Sequence, residues 1–225
     1  MGALKVFFEK AKTIPNLGVA GPQVKFPDGR VQVTSHRVFP NWLTVFTDYC
    51  LPWQQIAFRL PGHPYLQSQA THRVTHKTMT MSGVCLLVPR SAYEKVGGFD
   101  SKFTMFLEET EWQKRMDEAG LERWFVADSA IVHYGSAQKS FSQASQHFLW
   151  GLEYYTQLHW HGPLRRTRLL KAIWLGTALS LIFLLIAWPF SFALGRGGRR
   201  LRHYLKQYTR LVGNLVRFPT TPPAQ

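Results

Sequence analysis

The chain is poor in cysteine and, toward its end, devoid of acid. Cys50 and Cys85 are the only thiols in 225 residues. Two cysteines so far apart make neither a disulfide framework nor a four-ligand zinc pattern, and a reducing compartment is the simple reading. No Asp or Glu follows Glu153: sixteen Lys/Arg accompany all thirteen acids up to that residue, and eleven Lys/Arg stand without any acid from Tyr154 onward. The formal charge of +14 is therefore concentrated in the last third, behind a mildly basic body. The first twelve residues scatter charge among apolar side chains and contain no apolar core of a signal peptide. Also missing are a D-x-D pair, a Gly-rich phosphate loop of the Walker or Rossmann kind, and any internal repeat.

What is present suffices for a folded body. Hydrophobic residues make up 45% and aromatics 14%, which excludes a disordered chain. Residues 3–12 read as a helix and Leu17–Val24 as a short buried strand. Pro27-Asp28-Gly29 reads as a turn, and Val31, Val33 and Ser35 alternate as in a strand. From Phe39 to His76, aromatic, Pro and His residues mix without period, in a partly helical excursion. Met79–Pro89 is a continuous apolar run that fits a buried strand. Ser91 and Glu94 form a capping-box pattern opening a short helix that Gly97-Gly98 stops. A second helix is expected over about 108–119, with Glu111/Arg115 and Lys114/Glu118 as pairs four apart and Gly120 as its stop. Trp124–Val126 and Ala130–Val132 read as strand segments ending at His133.

The tail has its own pattern. Ala172–Leu194 runs 23 residues without a charge, long enough to span a bilayer. Basic residues flank it on both sides, which does not orient a single span, and Pro189 would kink it. Beyond it, apolar positions 201, 204, 205, 208, 211, 212 and 215 follow a helical period, with Arg202, Lys206, Arg210 and Arg217 on the other face. The expectation is a helical hairpin embedded in one leaflet, its basic ends among anionic head groups, with a single span as the alternative.

The segment richest in chemistry runs from Ser82 to Ser140. It holds Ser82-Gly83, then Gly97-Gly98-Phe99-Asp100, then Glu108-Glu109-Thr110-Glu111, Arg115, Gly120 and His133. Three carboxylates within four residues repel one another, which raises some of their pKa values, while a helix N-terminus favours negative charge. A carboxylate so held can serve as a general base, and an imidazole at a strand end can ligate a metal. Each feature also has a plain structural reading: a solvated first turn, a hydrogen-bonded strand-end histidine, a glycine helix stop. His72 and His76, four apart, are expected at the surface or in an acceptor groove; Trp42, Trp53 and Trp124 are candidates for stacking on sugars.

The ordered set Gly-Gly-Phe-Asp, Glu-Glu-x-Glu, Arg115, Gly120 and His133 resembles the C-terminal half of family 2 inverting glycosyltransferases, in particular the rhamnosyltransferase and galactofuranosyltransferase branch. Val19-Ala20-Gly21-Pro22, Phe26-Pro27-Asp28-Gly29-Arg30 and Arg37-x-Phe39-Pro40 resemble the segment just after that family's nucleotide-binding half. The resemblance covers about residues 13–160. It implies a partial GT-A (Rossmann-like) mixed α/β sheet over residues 1–160, followed by a basic, membrane-associated helical hairpin over 161–225. It further implies that Glu109 is the catalytic base, that Glu108, Glu111, Asp100 and Gly83 lie on the acceptor side, and that His133 helps hold a divalent metal. The family's usual base is Asp; Glu109 has a longer arm, by ~1.5 Å.

The implied activity is transfer of a sugar from a nucleotide-sugar donor to a lipid-linked or polysaccharide acceptor at the cytoplasmic face of an anionic membrane. The missing acidic metal motif leads to the expectation of a truncated or split enzyme, inactive alone, whose Mg or Mn ion comes only with a separate N-terminal half chain. The alternative is a non-catalytic membrane-bound partner that retains the acceptor-side fold. Charge alone would also admit a nucleic-acid binder, but the basic residues flank an apolar stretch with no accompanying motif, so no nucleic-acid partner is expected.

Overall fold

The structure is a computed structural model that describes residues 3–32, 36–52, 71–134, 146–189 and 196–223. It is a mixed α/β protein whose residues form two compact units, interleaved along the sequence. Unit 1 comprises Met1–Phe39, Ala57–Ser101 and Glu108–Gln138; unit 2 comprises Pro40–Ile56, Lys102–Leu107 and Lys139–Gln225.

Unit 1 holds the sheet. Helix α1 (Ala3–Lys12) precedes β1 (Leu17–Lys25), which pairs in parallel with β5 (Glu122–Val132). On the other edge of β5 lies the short antiparallel β3 (His76–Lys77), giving the order β1-β5-β3. A separate antiparallel pair joins β2 (His36–Arg37) to β4 (Thr80–Met81). Strand β1, at the edge of the three-stranded order, is buried along nearly its whole length, in keeping with its near-continuous apolar sequence and with Leu87 bridged to its free side. The ladder shifts register between Pro22 and Gln23, where proline brings no N–H to the pairing. The two expected strand segments around Trp124 and Ala130 are one strand with that irregularity inside it. Phe125, Val19, Met81, Trp112 and Met116 form a core between sheet and helix, and Phe7, Ala11, Leu17, Ala20 and Val126 form another.

Two expectations for this unit fail. Met79–Pro89 is not one buried strand: only Thr80–Met81 is strand, Gly83 and Val84 are exposed, and the chain rejoins the sheet through Leu87, which exchanges backbone hydrogen bonds with Ala20 (2.9 and 2.8 Å). Ser91 does not cap a helix either. Helix α3 (Arg90–Val96) starts one residue earlier, behind Pro89, with no side-chain cap. Its stop is as expected, at Gly97 with φ +76°. Helix α4 (Glu108–Glu118) follows, and Gly120, also at positive φ, ends its turn.

Unit 2 is helical among the described residues. Helix α2 (Trp42–Tyr49) is capped by Asn41, whose side chain accepts from the amides of Leu43 and Thr44 while Thr44 returns a bond to the Asn41 backbone. Helices α5 (Gln146–His159), α6 (Arg165–Ala187) and α7 (Arg196–Val216) complete it. One hydrophobic core joins residues of α2, Phe103, Leu107, α5, α6 and α7, so this packing unit does not begin at residue 161. The apolar face of α7 is turned into that core through Tyr208, Leu211 and Leu215. That face, expected in lipid, is therefore occupied by protein, and the basic side remains outward. Helix α6 ends at Ala187, two residues before Pro189.

Candidate functional site

The candidate site is built on the first turn of α4. Two consecutive non-glycine residues, Phe106 (φ 70°) and Leu107 (φ 71°), lead into it. Left-handed conformations at such residues cost about 1–3 kcal/mol each and persist only where the surroundings impose them. The turn they make delivers Glu108, Glu109 and Glu111 together at the positive end of the helix.

The three carboxylates have three different environments. Glu111 is buried, and Arg115 one turn later donates to both of its oxygens through Nε (2.9 and 3.1 Å). Arg115 also donates to the carbonyl of Gly98 (2.7 Å) and to that of Val96. Glu111 therefore holds the arginine that pins the Gly97-Gly98 turn. Glu108 is half-buried, and its Oε2 is enclosed with no hydrogen-bond partner among the described residues. Glu109 lies between these two extremes. Backbone N–H groups of Glu109, Gly83 and Thr110 favour its ionised form, but burial, and then the neighbouring Glu108 charge, outweigh them and push its pKa up to about 7.

Gly83 forms the cover of this carboxylate. A Cβ there would stand 3.5 Å from Glu109 Cβ and 3.6 Å from its Cγ, an ordinary van der Waals contact, so the glycine lies directly against the Glu109 side chain. The Ser82-Gly83 turn is held in turn by Gln113, one helical turn beyond Glu109. The Gln113 side chain accepts from the Met81 N–H (2.8 Å) and donates to the Met81 carbonyl (2.7 Å) and the Glu109 carbonyl (2.9 Å). Trp112 donates to the Gly97 carbonyl (2.7 Å) and packs edge-on against Phe99. Asp100, half-buried, follows Phe99 on the same loop. Helix α4 thus fixes two loops, 82–83 and 97–100, beside its acidic first turn. Gln113 and Trp112 escaped notice in the sequence, although a glutamine four residues after Glu109 on the same helix face is a visible signal.

His133 lies just past the end of β5. Its N–H donates to the Lys25 carbonyl (2.8 Å), its carbonyl accepts from Gln32 (3.1 Å), and its Nδ1 faces Gln32 Oε1 (3.2 Å). That contact places the ring proton on Nδ1 and leaves Nε2 as an acceptor or ligand. The partners of His133 and those of Glu109 do not overlap. Among the described residues no group of three His, Cys, Asp or Glu gathers as a metal site. A cation brought to His133 would find its Nε2 there. His72 is not at the surface: it is fully buried, its ring edge-on to Phe125 at 5.4 Å, because a 3₁₀ turn over Thr71–Arg73 tucks it against β5. Trp124 is half-buried and bonded to Glu122 (2.7 Å), Trp42 is partly exposed, and Trp53 lies outside the described residues.

No protein-family profile matches the chain. Two strains of Mycobacterium tuberculosis carry an N-acetylglucosaminyl-diphospho-decaprenol L-rhamnosyltransferase that is 27% identical over 177 residues, 74% of this chain and 55% of that protein. The chain is glycosyltransferase-like. An O-antigen biosynthesis protein, RfbC, of Myxococcus xanthus is 26% identical over 149 residues, 66% of this chain and 11% of that protein. The chain thus spans about half the length of the rhamnosyltransferase and a small part of the second relative. These likenesses agree with the resemblance carried by Gly97–Asp100, Glu108–Glu111 and His133.

Proposed function

We propose that this chain provides the acceptor side and the general base of an inverting, nucleotide-sugar-dependent glycosyltransferase of family 2, within a GT-A-type fold. Glu109 takes the proton from an acceptor hydroxyl as that oxygen attacks the anomeric carbon of the donor sugar. The C–O bond to the nucleoside diphosphate breaks on the opposite side, and the diphosphate leaves with the electron pair. Glu108 keeps the base poised, Asp100 and Gly83 lie on the acceptor side, and Glu111 acts through Arg115 to hold the neighbouring loop. His133 stands ready for a divalent cation brought with the donor. The acceptor is a polyprenyl-diphosphate-linked or polysaccharide sugar, by analogy with the relatives, met at the cytoplasmic face of a membrane. The single observation that carries this reading is the environment of Glu109: a carboxyl packed against Gly83 at the start of a helix, whose pKa is pushed up to about 7, as a base working near neutral pH requires.

The test combines binding and transfer. The chain in micelles is offered a polyprenyl-diphosphate N-acetylglucosamine acceptor, with and without nucleotide-activated L-rhamnose, and the product is followed by mass spectrometry. We expect Glu109→Gln to keep acceptor binding while transfer falls by about 10²-fold or more. Because a chain that supplies only the acceptor side is expected to be inactive alone, the assay is repeated with the N-terminal portion of the rhamnosyltransferase relative added; acceptor bound with no transfer even then would support the non-catalytic partner instead. Undiminished transfer by Glu109→Gln would remove Glu109 from the chemistry.

A further inference from the structure

Helix α6 buries one side and exposes the other, and the exposed side is apolar. Leu169, Ala172, Ile173, Gly176, Thr177, Ser180 and Leu184 face the core of unit 2. Outward lies a stripe at helical spacing that includes Leu175, Leu179, Ile182 and Ile186, with Ile182 54% and Ile186 67% exposed, and with the exposed Trp174 and the cap residue Trp188 at its two ends. From Trp174 to Trp188 the stripe is ~21 Å long and carries no charge. Arg168 and Lys171 are exposed at its amino end, and the chain has no acid after Glu153 to oppose an anionic surface. An uninterrupted apolar stripe beside exposed cations, with a tryptophan at each end, suits a lipid surface.

The manner of attachment follows from the partner helix. Ser180, in the middle of the uncharged part of α6, has its hydroxyl 2.8 Å from the Tyr49 carbonyl and accepts from the Leu51 N–H (2.7 Å). Tyr208, in the middle of α7, donates to the same Tyr49 carbonyl (2.9 Å). The two helices therefore come together where Ser180 and Tyr208 reach the same carbonyl. Lys206 and Arg210, both exposed, lie ~3 Å either side of Tyr208 along α7. If α6 crossed a bilayer, Ser180 would sit near its centre, and these two cations would be carried to the same depth with their heads turned outward, where charge is expensive. The described uncharged helix, Ala172–Ala187, is moreover ~24 Å long, against ~30 Å of hydrocarbon. Lying flat, α6 dips only its outer stripe, and α7, packed on the opposite side, stays in water.

We infer that α6 is an in-plane membrane anchor that docks on an anionic bilayer surface through the Trp174–Trp188 stripe and does not span it. The inference stands on unit 2 alone and rests on the proposed function only for the idea that the acceptor is lipid-borne. Flotation of the intact chain with vesicles of phosphatidylcholine and phosphatidylglycerol tests it without any transfer assay. The wild-type chain should float, and the double substitution L179E/I182E should lower the bound fraction by at least roughly tenfold with unchanged circular dichroism. An environment-sensitive fluorophore on I182C, which needs no added charge, should be quenched by lipid-borne nitroxides and protected from iodide. The same fluorophore on R210C should remain open to iodide. A wild-type chain that stays unbound, or that instead dimerises through the stripe, overturns the inference. So does undiminished flotation of L179E/I182E, or an R210C probe shielded from iodide, which would mark a span.

Discussion

At Glu109 burial and the Glu108 carboxylate favour the proton, and three backbone N–H groups favour the charge. Because the folded-state pKa lies above the ordinary carboxylate value of 4.5, the stabilising contribution of the protonated form is present below that value. It is lost as pH rises toward about 7, since the unfolded chain releases its proton first. Glu109→Gln keeps a neutral side chain at every pH, so we expect it to stabilise the fold by about 1–3 kcal/mol near pH 8 while leaving stability near pH 4 little changed. Chemical denaturation at the two pH values measures this, and equal stability of the two proteins at pH 8 would contradict it. The acidic triplet was legible in the sequence because residue type and spacing alone bring three carboxylates to one helix end. The family resemblance named Glu109 as the base, but residue type and spacing did not show what raises its pKa, since that depends on burial against Gly83 from 26 residues earlier and on Arg115 neutralising Glu111.

Helix α4 works as a clamp for two loops. Gln113 is buried and satisfies both backbone groups of Met81. Gln113→Leu leaves those groups enclosed without partners, so a loss of about 2–4 kcal/mol is expected. The Ser82-Gly83 turn should also loosen, seen as faster amide exchange at Met81 and Gly83. In unit 2, Gly176 allows α2 and α6 to approach closely: a Cβ there would fall 2.6 Å from the Phe46 carbonyl oxygen and 3.0 Å from the Tyr49 carbonyl carbon. Gly176→Ala must separate the helices and should cost about 2 kcal/mol or more, read as a lower Tm. Elements with one strong periodicity, such as α1, β1, α4 and α7, were readable along the chain. The Met79–Pro89 run was not, because an apolar run carries no mark of where it bends, and the bend at Ser82-Gly83 is imposed by Gln113 and Glu109 from α4. Likewise the apolar face of α7 predicted burial correctly but not its partner: lipid and a protein core ask for the same face.

Across the whole molecule, labour is divided between an acidic site in unit 1 and an apolar stripe in unit 2, and chain passages near residues 39, 57, 101, 108 and 138 connect the two units. Composition changes after Glu153, the last acid, whereas packing groups residues 40–56, 102–107 and 139–225 into one unit. If the acceptor is a lipid-linked sugar, its hydroxyl should come to Glu109 only when the intact chain is offered that lipid. The most direct measurement is a ¹³C-carboxyl NMR titration of Glu109 in the intact chain in micelles, assigned by loss of the signal in Glu109→Gln. The account predicts a midpoint near 7, lowered by Glu108→Gln and displaced when the lipid-linked acceptor is added. A midpoint at the ordinary carboxylate value, indifferent to Glu108→Gln and to the acceptor, would contradict it.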